Sequence, residues 1–323
     1  WVVFYRYVEN CKILQRGWGQ PAFRLFAEEA VGETGKSKEE KGMLNLKIED
    51  KNPNIKQELK EYMEGKRSVL NQILEGETDY KDSLGWFHTA EWADVEQTER
   101  IQKLADEIRE EADVFVIVGV GGSNNAARSV IEAIQTDRKV EIVYAGHTLS
   151  PYALNQMLKS LEGKSVYIDC IAKNFETLEP GASFRILRKF LYERYGEQAG
   201  KRMIATGTRG SSLEKLCKKH GYTFLEFPQN VGGRFSAVTS VGLLPMAVAG
   251  IDMKSLVRGA ADMEKQLHKG GSEENPAYEY ACLRNMYYEK GYKLEILAGF
   301  EPQLRWFYKW WVQLFGETEG KEN

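Results

Sequence analysis

A nearly continuous apolar run over residues 113–120, DVFVIVGV, constrains the fold more than any other part of the chain. Such a run is typical of a strand that is buried on both faces of a parallel sheet. It ends in a glycine-rich turn, and a helix-like segment follows. Further strand-like runs, separated by helix-like segments, lie at 140–146, 165–172, 202–207 and 223–228. Strands that alternate with helices predict an α/β fold, here a doubly wound parallel sheet.

The N-terminal part of the chain does not share this pattern. Residues 1–42 mix aromatic and basic residues without a clear period, and the chain starts at Trp1 rather than at a methionine. We therefore expect 1–42 to be a non-native or mis-called extension, with a natural start at Met43. Residues 43–84 are expected to form a helical N-terminal segment, because their apolar residues are scattered as in amphipathic helices.

The rest of the chain divides into two predicted parts. Residues 85–250 contain the five strand-like runs and are expected to form the first α/β domain. Within 251–323, the segment KLEILAGF at 293–300 predicts a sixth strand, and 302–317 predicts the helix after it. A doubly wound domain needs several strands, so we expect linking helices and the truncated start of a second α/β domain.

Composition excludes several classes of function. The 323 residues carry a net charge of −3, whereas a nucleic-acid-binding protein is expected to be basic. The four cysteines have no paired short spacing, so we expect neither a zinc site nor a disulfide framework, and a reducing cytoplasmic setting. The four histidines show no metal-ligand spacing. We find no apolar run suited to a membrane span and no signal peptide.

Three motifs contain candidate binding or catalytic residues. GVGGSNNAAR at 119–128 follows a strand and opens a helix, which suits an anion or a sugar but equally describes a tight turn. Arg234 follows two glycines in NVGGRFS and either stabilises a developing negative oxygen or satisfies carbonyl groups. Glu317 ends an aromatic helix in QLFGETEGK, and is either a base removed from water or a surface acid.

These stretches together resemble the glucose-6-phosphate isomerase (phosphoglucose isomerase) family of the bacterial type. The resemblance covers roughly 85–321 and rests on GVGGS, GGRFSAVTSVGLLPMAVAGID, NPAYEYACLRN and EPQLRWFYKWWVQLFGETEGK. It implies two sugar-isomerase (SIS) α/β domains, a homodimer, and interconversion of an aldose phosphate and a ketose phosphate through an enediolate. The expected reaction is that of glucose 6-phosphate and fructose 6-phosphate in glycolysis and gluconeogenesis, with no metal or organic cofactor.

The resemblance also implies roles for single residues. Glu317 is expected to be the base that moves a proton between two carbons, and Arg234 is expected to stabilise the enediolate oxygen. Gly122 and Ser123 are expected at the substrate, and Gln313 is expected to line the sugar pocket. The family also uses a histidine and a lysine from its C-terminal part, which lie beyond Asn323. We therefore expect the chain to be a fragment that is inactive by itself.

One loop departs from the family pattern. The family's phosphate loop reads Ser-Lys-Ser-Gly-Thr-Thr or Ser-Lys-Thr-Phe-Thr-Thr, whereas residues 172–177 read AKNFET. Lys173 and Thr177 match, Asn174 can still donate through its amide, and Glu176 adds a negative charge. Each hydrogen bond lost to a charged ligand costs roughly 1.5–3 kcal/mol.

Three hypotheses about the function remain for a chain with this variant loop. The first is a glucose-6-phosphate isomerase with an altered loop. The second is an isomerase of a sulfonated sugar such as sulfoquinovose, because a sulfonate carries one charge and tolerates Glu176 better. The third is a sugar-phosphate-binding SIS protein without catalysis, which the presence of Glu317, Arg234 and Gln313 disfavours.

Overall fold

The apolar runs become strands in the computed structural model of the protein, which describes residues 24–26, 45–77, 79, 81–135, 138–268 and 275–320. The strands are β1 (Arg24–Phe26), β2 (Asn45–Lys47), β3 (Val114–Val118), β4 (Glu141–Ala145), β5 (Val166–Ala172), β6 (Met203–Gly207) and β7 (Thr223–Glu226). The helices are α1 (Ile55–Gly65), α2 (Arg67–Leu74), α3 (Thr89–Trp92), α4 (Val95–Glu111), α5 (Gly122–Ile134), α6 (Pro151–Ser160), α7 (Leu178–Tyr195), α8 (Ser212–His220), α9 (Ser240–Val248), α10 (Met253–His268), α11 (Pro276–Glu289) and α12 (Arg305–Glu319).

The five strands predicted within 113–228 form one parallel sheet in the order β4-β3-β5-β6-β7. This confirms the α/β prediction. The first strand of the sheet, β3, lies between the second and the third, so the direction of winding reverses between β3 and β5. In open α/β sheets, ligands bind at such a reversal, beyond the carboxyl ends of the strands.

Each face of this sheet packs against helices. Phe115 and Ile117 of β3 belong to one buried cluster, which includes residues of α4, α5 and α9. Val116 and Val118 point to the other face, where the cluster includes residues of α7 and α8. Because all five residues of β3 are buried, the strand reads as a continuous apolar run and not as an alternating one.

The described residues divide into two compact units, one formed by those within 80–261 and 300–320 and the other by those within 24–79 and 262–299. In the second unit, β1 and β2 pair antiparallel. Helices α1, α2 and α11 share a cluster that includes Leu59, Met63 and Leu283. The predicted domain boundaries stay predictions. The extension predicted over 1–42 lies outside the described residues except for 24–26.

The sixth strand predicted over 293–300 is wrong for the part of the chain that the structure describes. Residues 292–299 form neither helix nor strand, although the predicted helix after them is present as α12. The side chains of Leu294 and Ile296 are 90% and 85% exposed. A strand requires a neighbour for its backbone N–H and C=O groups, and an apolar sequence alone does not supply one.

None of the helices in the described ranges combines the length and apolar character needed to cross a membrane.

Candidate functional site

Two predicted motifs follow the two strands between which the sheet reverses. The glycine turn 119–122 leaves β3 and opens α5, and the loop 173–177 leaves β5 and opens α7. Gly121 has a φ of 57°, a conformation that disfavours residues with a Cβ, and this turn brings the start of α5 directly after the strand. The parallel register therefore places both motifs at the carboxyl edge of the sheet.

The glycine turn lies against the turn that carries Arg234. A Cβ atom on Gly122 would lie 2.1 Å from the carbonyl carbon of Gly233 and 2.4 Å from the backbone nitrogen of Arg234. Only glycine permits this close approach of two backbones. The hydroxyl of Ser236 donates to the carbonyl oxygen of Gly233 at 2.7 Å and lies 3.5 Å from the carbonyl oxygen of Gly122. Gly122 thus fixes the position of the arginine turn.

The side chains of Arg234 and Glu317 lie next to each other and form an ion pair. A guanidinium nitrogen of Arg234, Nη1, lies 3.6 Å from Oε2 of Glu317, and Nε of the same arginine donates to the hydroxyl of Thr318 at 2.9 Å. The indole N–H of Trp310, which precedes Glu317 on α12, donates to the backbone carbonyl of Arg234 at 2.9 Å. Helix α12 and the arginine turn are therefore tied together by both backbone and side chains.

Gln313 joins the carboxylate to helix α5. Its amide nitrogen donates to Oε1 of Glu317 at 3.0 Å, and its amide oxygen accepts from Nδ2 of Asn125 at 2.7 Å. The spacing of four residues places Gln313 and Glu317 on one face of α12. A carboxylate, a guanidinium and two amides can move a proton and stabilise an anion. The set does not suit a metal ion, because the guanidinium already neutralises the carboxylate.

The loop AKNFET forms a second cluster. The ammonium group of Lys173 donates to the backbone carbonyls of Gln229 and Val231 at 2.7 and 2.8 Å. Partial burial lowers the pKa of Lys173. An ammonium has three donors, so one remains for a ligand. The lysine is thus held at the sheet edge by the segment that leads from β7 to Arg234.

The other loop residues bond to one another. Oδ1 of Asn174 accepts from the backbone nitrogen of Glu176 at 3.0 Å, and the carbonyl of Asn174 accepts from the hydroxyl of Thr177 at 3.1 Å. Thr177 immediately precedes α7 and leaves the first N–H groups of that helix without a side-chain cap. The carboxylate of Glu176 is exposed and accepts a long bond, 3.5 Å, from the hydroxyl of Ser212.

The predicted residues therefore lie in two clusters on neighbouring strand ends. Gly122, Arg234, Gln313 and Glu317 are joined by direct contacts. Lys173, Asn174 and Thr177 occupy the adjacent loop. Ser123 lies in the first turn of α5, where its backbone nitrogen donates to the carbonyl of Val120 at 3.2 Å.

The structure distinguishes the two alternatives for Glu317. The sequence left open a base removed from water or a surface acid at the end of an aromatic helix, and the side chain is 53% exposed, as expected of the surface acid. The buried positions Trp310 and Leu314 lie earlier on the same side of α12, and Glu317 follows them near the end of the helix. In this structure, Arg234 and Gln313 constrain the carboxylate, and burial does not.

Sequence reasoning missed two residues. Asn125 orients Gln313, and Thr318 orients Arg234. Asn125 carries a weak sequence signal, because asparagine in the first turn of a helix after a glycine turn is a polar choice at a partly buried position. Thr318 carries none, since its partner lies 84 residues away in the chain.

The close approach at Gly122 leads to a stability prediction. Gly122→Ala is expected to lower the free energy of unfolding by about 1–3 kcal/mol, because overpacking forces the backbone of Gly233 and Arg234 to move. The matched control is Gly259→Ala in α10, where a Cβ meets nothing within 4 Å. This control is expected to stabilise by roughly 0.5–1 kcal/mol. Urea titrations of both variants test the contrast, and equal effects would contradict it.

Several known proteins are similar to this chain in sequence. Relatives named glucose-6-phosphate isomerase include that of Staphylococcus saprophyticus, 39% identical over 272 residues, which are 82% of this chain and 61% of the relative. The one from Streptococcus thermophilus is 41% identical over 263 residues, which are 78% of this chain and 59% of the relative. The chain thus spans less than two thirds of the length of these relatives.

Solved structures show the same fold. A hypothetical protein of Thermus thermophilus aligns with a TM-score of 0.74 at 23% identity, over 84% of this chain and 63% of that one. A glucose-6-phosphate isomerase from Chlamydia trachomatis aligns with a TM-score of 0.63 at 21% identity, over 70% of this chain and 44% of that one. The family model of phosphoglucose isomerase matches residues 96–323, which is more than half of the chain, so the chain belongs to this family.

Proposed function

We propose that the whole protein interconverts glucose 6-phosphate and fructose 6-phosphate through an enediolate. The observation that carries this proposal is the pairing of Glu317 with Arg234 at 3.6 Å, with Gln313 hydrogen-bonded to the same carboxylate. A carboxylate beside a fixed cation is the arrangement needed to remove a proton next to a carbonyl group and to stabilise the charge that develops on oxygen.

In the proposed reaction, a carboxylate oxygen of Glu317 takes the proton from C2 of the open-chain aldose. The electron pair of that C–H bond forms the C1–C2 double bond, and the carbonyl electrons move to the oxygen on C1. Arg234 stabilises this oxygen, because its guanidinium stays charged and keeps its geometry. The proton of the hydroxyl on C2 then moves to the negative oxygen on C1. Glu317 returns its proton to C1, and the electron pair left on the oxygen of C2 forms the ketose carbonyl.

Binding is assigned to the remaining predicted residues. Gln313, Gly122 and Ser123 are proposed to contact the sugar. Lys173, Asn174 and Thr177 are proposed to hold the phosphate through the third ammonium donor, the side-chain amide and the start of α7, whose first N–H groups favour an anion. Glu176 is compatible with a phosphate there, because its carboxylate is turned toward Ser212.

Assembly and location are part of the same proposal. We infer that the full-length protein is a homodimer of subunits with two SIS domains, acting in glycolysis and gluconeogenesis. We also infer a cytoplasmic location, because the free cysteines Cys170, Cys217 and Cys282 are all buried as unpaired thiols.

The test is isomerase activity of the protein expressed over the full length of its gene. Glucose 6-phosphate and sulfoquinovose are compared as substrates in one assay. Preference for the phosphate ester supports the proposal. Preference for the sulfonate would assign the altered loop to a different substrate, and turnover of neither would favour a binding protein without catalysis.

Asn125 is predicted to contribute to turnover through Gln313. Asn125→Ala removes the 2.7 Å hydrogen bond that fixes the Gln313 amide, so kcat/KM is expected to fall about fivefold to tenfold, the net value of one hydrogen bond. Gln313→Ala and the double variant complete a mutant cycle. If Asn125 acts only through Gln313, the double variant matches Gln313→Ala alone. Additive losses would contradict this role.

A further inference from the structure

A cavity of about 590 Å³ lies beside the candidate site and is bounded by α5, β4 and the first turns of α12. Its lining includes Asn125, Arg128, Glu132, Tyr144, Trp306 and Lys309. The volume is within the range of small-molecule sites in proteins. The residues assigned above to proton transfer and to phosphate binding, Glu317, Arg234 and the loop 173–177, do not line it.

Arg128 is the central cation of this cavity. Its guanidinium carbon lies 4.0 Å from the ring centre of Tyr144 and 3.3 Å from the ring centre of Trp306, so the planar group is held between two aromatic faces. The ammonium of Lys309 lies 4.3 Å from the centre of the same indole. Aromatic stacking fixes a cation in place but leaves its N–H donors unused.

The polar groups around Arg128 are left without hydrogen-bond partners. Within the described ranges, the hydroxyl of Tyr144 and the indole N–H of Trp306 are buried and make no hydrogen bond, and Nε of Arg128 has only the long ion pair to Glu132 at 3.6 Å. Buried polar groups are almost always hydrogen-bonded, and these exceptions around one cavity call for an explanation. Small movements of these side chains would turn their donors toward a ligand in the cavity.

The charge balance defines the ligand. Glu132 lies 3.6 Å from Nε of Arg128, and among the described residues it is the one carboxylate that lines the cavity. Lys309 lines the cavity too, and the charge of Arg305 is close enough to act on Arg128. Among the lining residues, the two cations Arg128 and Lys309 against one carboxylate leave an excess of one positive charge, and Arg305 adds positive potential from outside the lining. Burial also lowers the pKa of Arg128, so its charge is poorly solvated.

We propose that this cavity is a second ligand site, which binds a small doubly charged anion of the phosphate-ester class. The guanidinium of Arg128 offers the planar donor geometry that matches phosphate oxygens, and Lys309 adds a mobile point charge at the rim. The cavity shares Asn125 with the candidate isomerase site, but none of the residues proposed to transfer the proton or to bind the substrate phosphate lines it. Its test therefore requires no turnover and remains valid if the proposed reaction is wrong.

The experiment follows the indole N–H resonance of Trp306 by NMR, assigned through Trp306→Phe, while inorganic phosphate is added at constant ionic strength. We expect a saturable shift of this resonance. The indole of Trp92 serves as the internal control, because its N–H donates to the carbonyl of Gly85 at 2.9 Å. A Trp306 resonance that does not shift, or that shifts without saturation and equally with chloride, would overturn the proposal.

Variants with opposite expected signs sharpen the test. Lys309→Met is expected to weaken phosphate binding about fivefold, and Arg128→Met at least about tenfold, since hydrogen bonds to charged groups are lost. Glu132→Gln is expected to tighten binding about fivefold, because it removes the competing carboxylate. Lys189→Met on α7, where the lysine pairs with Glu193, is the matched control and should leave binding unchanged. Unchanged affinity in Lys309→Met and Glu132→Gln would overturn the site.

A second titration tests the chemical class. Succinate carries two charges but has no tetrahedral group. Tighter binding of phosphate than of succinate supports the phosphate-ester assignment, and tighter binding of succinate would overturn it.

Discussion

Glu317→Gln is expected to lower kcat for interconversion of glucose 6-phosphate and fructose 6-phosphate by about 10²- to 10⁴-fold in the full-length protein. The amide keeps the size of the side chain and its contact with Gln313, but it cannot accept the proton from carbon. KM is expected to change little, because the contacts proposed to bind substrate remain. Steady-state kinetics with each substrate measure both constants.

The control for this prediction is Glu319→Gln, which makes the same chemical change two residues further along α12. Both side chains are exposed, so neither variant is expected to alter thermal stability appreciably. A kcat for Glu317→Gln within about threefold of the wild-type value, with normal folding, would contradict a role of Glu317 as the base.

Asp169, in the middle of β5, is expected to make the free energy of unfolding depend on pH. This carboxyl group is fully buried and accepts from the hydroxyl of Thr206 at 3.1 Å. Burial raises its pKa to about 7, and the hydrogen bond from Thr206 opposes this only in part. The folded protein therefore holds a proton on Asp169 at a pH where the unfolded chain has lost it.

The free energy of unfolding depends on pH because the pKa of Asp169 differs between the folded and unfolded states. The raised pKa contributes stability that is fully present below the unfolded pKa of about 4 and is lost as pH rises to the folded value of about 7. One pH unit of separation is worth about 1.4 kcal/mol, so the whole window is worth about 4 kcal/mol. Asp169→Asn imitates the protonated carboxyl at every pH and removes this dependence.

The measurement is the free energy of unfolding of wild type and Asp169→Asn at pH 5 and pH 8. The stability of the wild type relative to the variant is expected to fall by about 3 kcal/mol between the two pH values. Asp106→Asn, at an exposed position of α4, is the matched control and should show no such change. Parallel pH curves for wild type and Asp169→Asn would show that the buried carboxyl is not protonated in the folded state.

The fold was predictable where apolar pattern and local geometry agree. Strands β3 to β7 each follow from a short, mainly apolar run bounded by turn residues, because a strand with helices on both faces buries most of its side chains. The segment 293–300 has the same pattern but lacks a paired neighbour in the described structure. Its apolar residues Leu294 and Ile296 lie exposed. Pairing is a property of two segments, and the sequence of one segment does not determine it.

The residues of the candidate site were indicated by the sequence, but their connections were not. Gly122, Arg234 and Glu317 lie in motifs that the sequence itself singles out, whereas Gln313 was implied only by the resemblance to the family. The contact of Asn125 with Gln313 joins residues 188 positions apart, which no local pattern encodes. The exposure of Glu317 likewise depends on how much of the end of α12 is covered by the rest of the chain, and this is set by packing.

Glu317 is proposed to carry a proton between two carbons of the sugar. The most direct test is conversion of fructose 6-phosphate by the full-length protein in heavy water, with NMR detection of deuterium at C2 of the glucose 6-phosphate formed. A proton held on a half-exposed carboxylate exchanges with solvent, so we expect deuterium at C2 with wild type and a loss of the reaction with Glu317→Gln. Turnover without any deuterium, retained in Glu317→Gln, would contradict the enediolate mechanism and the role of this carboxylate.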